Sequence, residues 1–140
     1  MIWGQKLGID YFIQGHNNGK ADGIVLQAIL DAFDKQENDN KNGFYGLYYD
    51  EANVCDFTVG LENEVVTNIC IHKPCGHQRL LESIFDILRV GPYVLFAPGG
   101  NSPIIAQPHM RAHLAHGMVE ALGMPIIIRQ AEDILTALFE

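Results

Sequence analysis

Two cysteines and two histidines stand close together in Cys70-Ile71-His72-Lys73-Pro74-Cys75-Gly76-His77. Thiols and imidazoles at this spacing could do nucleophilic chemistry or hold a metal ion. Strand alternation would put Cys70 and His72 on one face and Ile69 and Ile71 on the other. Pro74 and Gly76 break that strand, so Cys75 and His77 fall in the turn that opens the next helix. A helix N-terminus carries partial positive charge, which favours a thiolate. Cys75, with His72 or His77 as base, is therefore the candidate nucleophile. The spacing C-x-H-x2-C-x-H lacks the wider gap between ligand pairs that a zinc finger has. A buried cysteine is also an ordinary small hydrophobe, which accounts for Cys70 without chemistry.

His109, His113 and His116 form a second constellation. On a continuous helix these three and Glu120 share one narrow face, opposite Met110, Leu114, Met118 and Leu122. His109 and His116 would stand about 10 Å apart along the axis, too far for one small ion. A pair, His109 with His113 or His113 with His116, could hold a metal with a third ligand from another element. A solvated or partner-facing surface is the plainer expectation.

Two glycine-containing segments could approach an anion. Ala97-Pro98-Gly99-Gly100-Asn101-Ser102-Pro103 follows an apolar run and precedes a helix, where adjacent glycines expose backbone N–H groups. Gly99, Gly100, Asn101 and Ser102 are the candidate ligand loop. No G-x-S-x-G elbow surrounds Ser102. Gly15-His16-Asn17-Asn18-Gly19-Lys20 has one residue too few between its glycines for a triphosphate loop. Ala21 also replaces the Ser or Thr that such a loop needs. Lys20 and a following helix N-terminus could still take a small anion.

The acidic residues are spread over loops. Asp31, Asp34, Glu37 and Asp39 cluster near one helix end, and Asp50, Glu51, Glu62 and Glu64 lie at two strand connections. Tyr45, Tyr48 and Tyr49 stand beside Asp50 and Glu51. Tyrosine next to carboxylate suits a surface that binds a basic protein, through area, a hydroxyl and charge. Tyr48, Tyr49, Asp50, Glu51, Glu62 and Glu64 are the candidate partner-binding residues, although ordinary sheet packing would claim at least one of the three tyrosines.

The elements that position these groups follow from periodicity. Leu7, Ile9, Tyr11 and Ile13 alternate as a strand, and Gly15 to Gly19 reads as a loop. Asp22 is a plausible N-cap for a helix that buries Val25, Ala28, Ile29, Ala32 and Phe33, with Ile24, Leu26 and Leu30 widening the face. Residues 44–49, 54–59 and 64–72 read as three strands of an antiparallel meander, joined at 50–53 and 60–63. Leu80, Leu81, Ile84, Phe85, Ile87 and Leu88 mark an amphipathic helix ending near Gly91. Tyr93 to Ala97 is a strand, and Pro98 to Gln107 a loop. Pro108 opens a helix running to about Leu122. Ile126 to Ile128 reads as a strand covered on both faces, and Ala131 to Leu138 as a last helix. Meander and crossover elements together predict an α+β (mixed α/β) single domain over 1–140, a mixed sheet packed by about four helices.

Composition narrows the function. The 140 residues are 48% hydrophobic and 19% charged, with a net charge of −8. That excludes a disordered tail, a collagen-like repeat and a coiled coil, and it speaks against nucleic-acid binding, which needs a basic face. No apolar run approaches the length that spans a bilayer. Three cysteines, an odd number without framework spacing, fit a reducing compartment. Met1 to Lys6 carries no signal-peptide pattern, so a cytoplasmic location is expected. No cofactor motif is found. The reading is a small acidic protein that inhibits or sequesters a basic protein partner, for example a toxin-neutralising immunity protein. The alternatives are a small enzyme, using Cys75 with His72 and His77 or a metal on the histidine helix, and a regulatory domain that binds a small ligand.

Overall fold

The computed structural model describes residues 9–35, 40–41 and 43–140. The expectations for Leu7, Glu37 and Asp39 lie outside the described residues. The chain runs β1 (Tyr11–Asn17), β2 (Lys20–Ala21), β3 (Ile24–Val25), α1 (Leu26–Ala32), β4 (Asn40–Lys41), β5 (Phe44–Asp50), β6 (Asn53–Glu62) and β7 (Val65–His72). It continues through α2 (Gln78–Val90), β8 (Tyr93–Phe96), β9 (Ile104–Ile105), a 3-10 turn (Pro108–Ala112), α3 (His116–Leu122), β10 (Ile126–Ile127) and α4 (Asp133–Phe139).

The strands order as β10-β9-β8-β1-β7-β6-β5-β4, with β3 also on β7 and β2 paired to β1 alone. Every pairing is antiparallel except β9 with β10. This is the expected single-domain α+β fold, a mixed sheet with a meander, β5-β6-β7, inside it.

One face of the sheet carries the main core. Tyr11, Ile13, Phe57, Ile69 and Ile71 pack with Ile29 and Leu30 of α1, Leu80, Ile84, Ile87 and Leu88 of α2, and Ile134 and Leu138 of α4. Period-two alternation turns the residues between them, Phe12, Gln14, Asp56, Thr58, Cys70 and His72, to the other face. Among the described residues, that second face is covered only in part. Val94 and Ile105 pack there with Met110, Leu114, Met118 and Val119 of the segment that follows β9.

Four expectations are corrected. Asp22 does not cap a helix: Ile24 and Val25 pair with Val66 and Val65, and the helix begins only at Leu26 with no side-chain cap. Gly23 permits this pairing, because a Cβ there would stand 1.8 Å from the Val66 carbonyl oxygen. The β6–β7 connection is not 60–63. Strand β6 continues to Glu62 and turns at Asn63 and Glu64, both at positive φ (51° and 68°), as a two-residue hairpin loop requires. The segment from Pro108 to Leu122 is not one helix, since a tight 3-10 turn ends at Ala112 and α3 starts at His116. Ile126 to Ile128 is not covered on both faces, because β10 is an edge strand on which Ile126 is exposed.

Candidate functional site

The open face gathers three ligand-type side chains. Asp10 stands just before β1, and the register Tyr11 to Ile71 sets it beside His72. Its Oδ2 lies 3.7 Å from His72 Nδ1 and 4.0 Å from Cys70 Sγ, and Cys70 Sγ lies 3.7 Å from that same Nδ1. All three residues are half-buried. Each outer ligand is held from behind: His72 Nε2 is 3.2 Å from Thr58 Oγ1, and Asp10 Oδ1 accepts from Lys73 N at 3.1 Å. Asp56 faces His72 across the ladder, and its Oδ1 is buried without a hydrogen-bond partner. Burial pushes the Cys70 thiol up, and the carboxylates of Asp10 and Asp56 push it further, to about 11.

Cys70 also ends a groove of about 430 Å³ lined by Phe12, Gln14, His16, Thr67 and Asn68. A bulge shapes it. Gly60 pairs with Asn68 and Leu61 with Val66, so β7 carries one extra residue. The bulge turns Thr67 toward the groove, beside Asn68, while Val66 joins the core. His16 is 8% exposed, and neither ring nitrogen has a partner. Burial pushes its pKa below the ordinary histidine value.

The expected Cys75 site divides across the sheet. Cys70 and His72 do share a face, and Cys75 and His77 do lie in the turn before α2. Yet Cys75 is 4% exposed within the main core, whereas His72 is on the open face. His72 therefore cannot serve as its base. His77 is committed elsewhere. Its Nδ1 caps α2 by accepting from Arg79 N at 3.0 Å, its Nε2 lies 3.8 Å from Asp50 Oδ2, and its ring stacks on Tyr49 at 4.9 Å. The partner of Cys75 is Cys55. A hydrogen bond from the Cys55 thiol lowers Cys75, burial opposes this, and the His77 backbone N–H assists. The same bond, then burial, pushes Cys55 up. Tyr11 and Tyr49 add two buried hydroxyls without hydrogen-bond partners. Burial raises both, and the two thiols raise them further.

The three histidines of 109–116 do not share a face, because the helix that would align them is broken. His109 and His113 meet edge-on at 5.9 Å. His113 Nδ1 accepts from Asn18 N at 3.3 Å, and His116 Nε2 pairs with Glu120 Oε1 at 2.8 Å. Among the described residues, Asp10, Cys70 and His72 are instead the group with metal-ligand spacing.

The glycine loop offers only part of the backbone N–H set expected of it. Gly100 N donates to Ala97 O at 2.9 Å and Asn101 N to Leu138 O at 2.7 Å, so two of the loop's four N–H groups are spent within the fold. Asn101 Nδ2 donates to Ala137 O, which ties Gly99 to Ser102 onto α4. Lys20 lies in β2, and the next helix starts six positions later, so the anion site expected there is not assembled either.

The tyrosines separate by burial. Tyr45 is in the core, Tyr49 is half-buried against His77, and Tyr48 is 68% exposed. Tyr48 pairs across the ladder with Val54, which is 54% exposed, and Phe44 two pleats away is 44% exposed. Asp50 accepts from Ala52 N and Asn53 Nδ2, and the Asn53 contact is the main cause of its lowered pKa. Asp50 and Glu51 lie at one end of β6 and Glu62 and Glu64 at the other, about 30 Å apart at a strand's rise.

Sequence reasoning missed Asp10, Asp56 and His16. Only the pairing of β1 with β7 and of β7 with β6 brings the two carboxylates to Cys70 and His72, and no local spacing records that. Comparison with family models, with curated proteins and with solved structures finds no match for this chain.

Proposed function

We propose that the chain is a small acidic binding protein that inhibits or sequesters a basic protein partner, a toxin-neutralising immunity protein being the concrete form. The observation that carries this is the exposed cross-strand pair Tyr48 and Val54 beside Phe44, an uncovered apolar strip on β5 and β6. Water-exposed aromatic residues on a rigid sheet lose little entropy on docking and supply most of the affinity. Carboxylates at both ends of β6 would steer a positive surface onto the strip. A span of about 30 Å fits the breadth of an ordinary interface of roughly 800 Å² per partner. The net charge of −8 points the same way, and nucleic acid is not the partner proposed.

The proposal includes a cytoplasmic location, supported by cysteines that are all free thiols. No described helix is long and apolar enough to cross a membrane. Substitution tests the surface: Tyr48→Ala should weaken binding of the partner about 10-fold or more. Glu51→Lys should slow association at low salt and matter less at high salt. Equal binding by wild type and both variants would refute this face.

A second reading, small-ligand binding, rests on its own observation. His16 is buried, neither of its ring nitrogens has a hydrogen-bond partner, and it lines the groove with Gln14 and Asn68, which favours the open face over the Gly99 loop as the ligand site. Native mass spectrometry of the purified chain should then show a bound molecule that His16→Gln releases. Unliganded wild type would argue against this reading.

A further inference from the structure

We propose that Asp10, Cys70 and His72 form a binding site for a divalent cation of the zinc class. A tetrahedral zinc with bonds of about 2.0–2.3 Å sets neighbouring S, N and O ligands roughly 3.3–3.6 Å apart. The three separations here are 3.7, 3.7 and 4.0 Å, all among the same three atoms. The ligand triangle therefore needs to contract by less than half an ångström to take the ion, within side-chain rotation. The set is also chemically selective. Thiolate and imidazole favour zinc or cobalt, whereas calcium and magnesium prefer six or more oxygens.

The surroundings are those of a prepared site. The Thr58 hydroxyl at His72 Nε2 can hold the N–H on that nitrogen, leaving the Nδ1 lone pair for metal, and Lys73 N–H fixes the carboxylate from its far side. Asp56 supplies an independent sign. Its buried Oδ1 has no partner, and it faces His72 across the ladder. Asp56 lies outside the spacing of the other three, so it would reach the ion through a bridging water. A divalent cation would also neutralise two carboxylates crowded around one thiol. This inference does not depend on the partner-binding proposal.

Cobalt(II) titration of the purified full chain tests it, because a thiolate bound to cobalt gives a sulfur-to-metal charge-transfer band that imidazole and carboxylate ligands do not. The expected result is one equivalent bound with that band, displaced by zinc. Cys70→Ser should abolish the band and weaken zinc binding at least about 100-fold, and Thr58→Val should weaken it roughly 10-fold. Cys75→Ser, on the other face, should keep the band. The proposal is overturned if wild type gives no thiolate band. It is equally overturned if the band survives Cys70→Ser, or follows Cys75, or if binding is lost in His113→Ala instead.

Discussion

His72 and Cys75 are three residues apart in the chain and on opposite faces of the sheet. His72 meets Asp10 and Thr58 on the open face, while Cys75 is closed into the core against Cys55. The strand ends at His72, and the chain turns at the strand's end, with Lys73 at φ 47°. Their side chains therefore belong to different chemistry, and the variants at each position should behave differently.

The thiol pair should behave as one unit in stability. Cys75→Ala and Cys55→Ala each remove a thiol that perturbs the other and some buried volume, so each should cost about 1–2 kcal/mol. Because the two thiols act on each other, the double variant should cost less than the sum by about 0.5 kcal/mol or more. Urea unfolding of the four proteins reads this. Strict additivity would mean that the two thiols do not interact.

His16 should make stability depend on pH. Burial lowers its folded pKa below the unfolded value, so between those two values the unfolded chain binds a proton that the folded chain does not. Stability is then full above the ordinary histidine pKa and is lost as pH falls through the folded one. His16→Gln should flatten the stability profile on the acid side of neutrality relative to wild type. Parallel profiles for the two proteins would contradict the burial argument.

Two aromatic residues on neighbouring strands separate binding from folding. Phe57 is fully buried, stacked between Phe33 and Tyr45, whereas Tyr48 is exposed. Phe57→Ala should cost about 3–5 kcal/mol. Tyr48→Ala should stay within about 0.5 kcal/mol of wild type, so any loss of binding it causes is a loss of surface. A large drop in melting temperature for Tyr48→Ala would show that the residue is structural.

Gly23→Ala tests the short strand that replaced the expected helix start. The added Cβ would meet backbone, the Val66 carbonyl, and backbone cannot step aside as a side-chain tip can. The variant should lose more than about 2 kcal/mol, and hydrogen exchange should quicken at Ile24 and Val66. A variant as stable as wild type would contradict the β3–β7 pairing.

Much of this was legible from local pattern. Alternation in residues 44–72 revealed the meander, and it set Cys70 and His72 on one face. The apolar spacing from Leu80 to Leu88 gave α2 its buried side. What failed was whatever depended on distant pairing or on chain breaks. Asp22 looks like a helix cap until Ile24 and Val25 find β7. The histidines at 109, 113 and 116 share a face only if the helix is continuous, and the tight turn after Pro108 ends that continuity. Asp10 carries no signal of its own, and its role follows from a register between strands some 60 positions apart. Thr67 reaches the groove through a bulge that period-two reading does not contain.

We propose that this acidic chain holds a basic protein on its open β5–β6 face. The most direct test is untagged co-purification from the source cell at low and at high salt, repeated with Tyr48→Ala. One stoichiometric basic protein should stay bound to wild type at low salt, dissociate as salt rises, and be recovered poorly with the variant. No stoichiometric partner at low salt, or equal recovery with Tyr48→Ala, would contradict it.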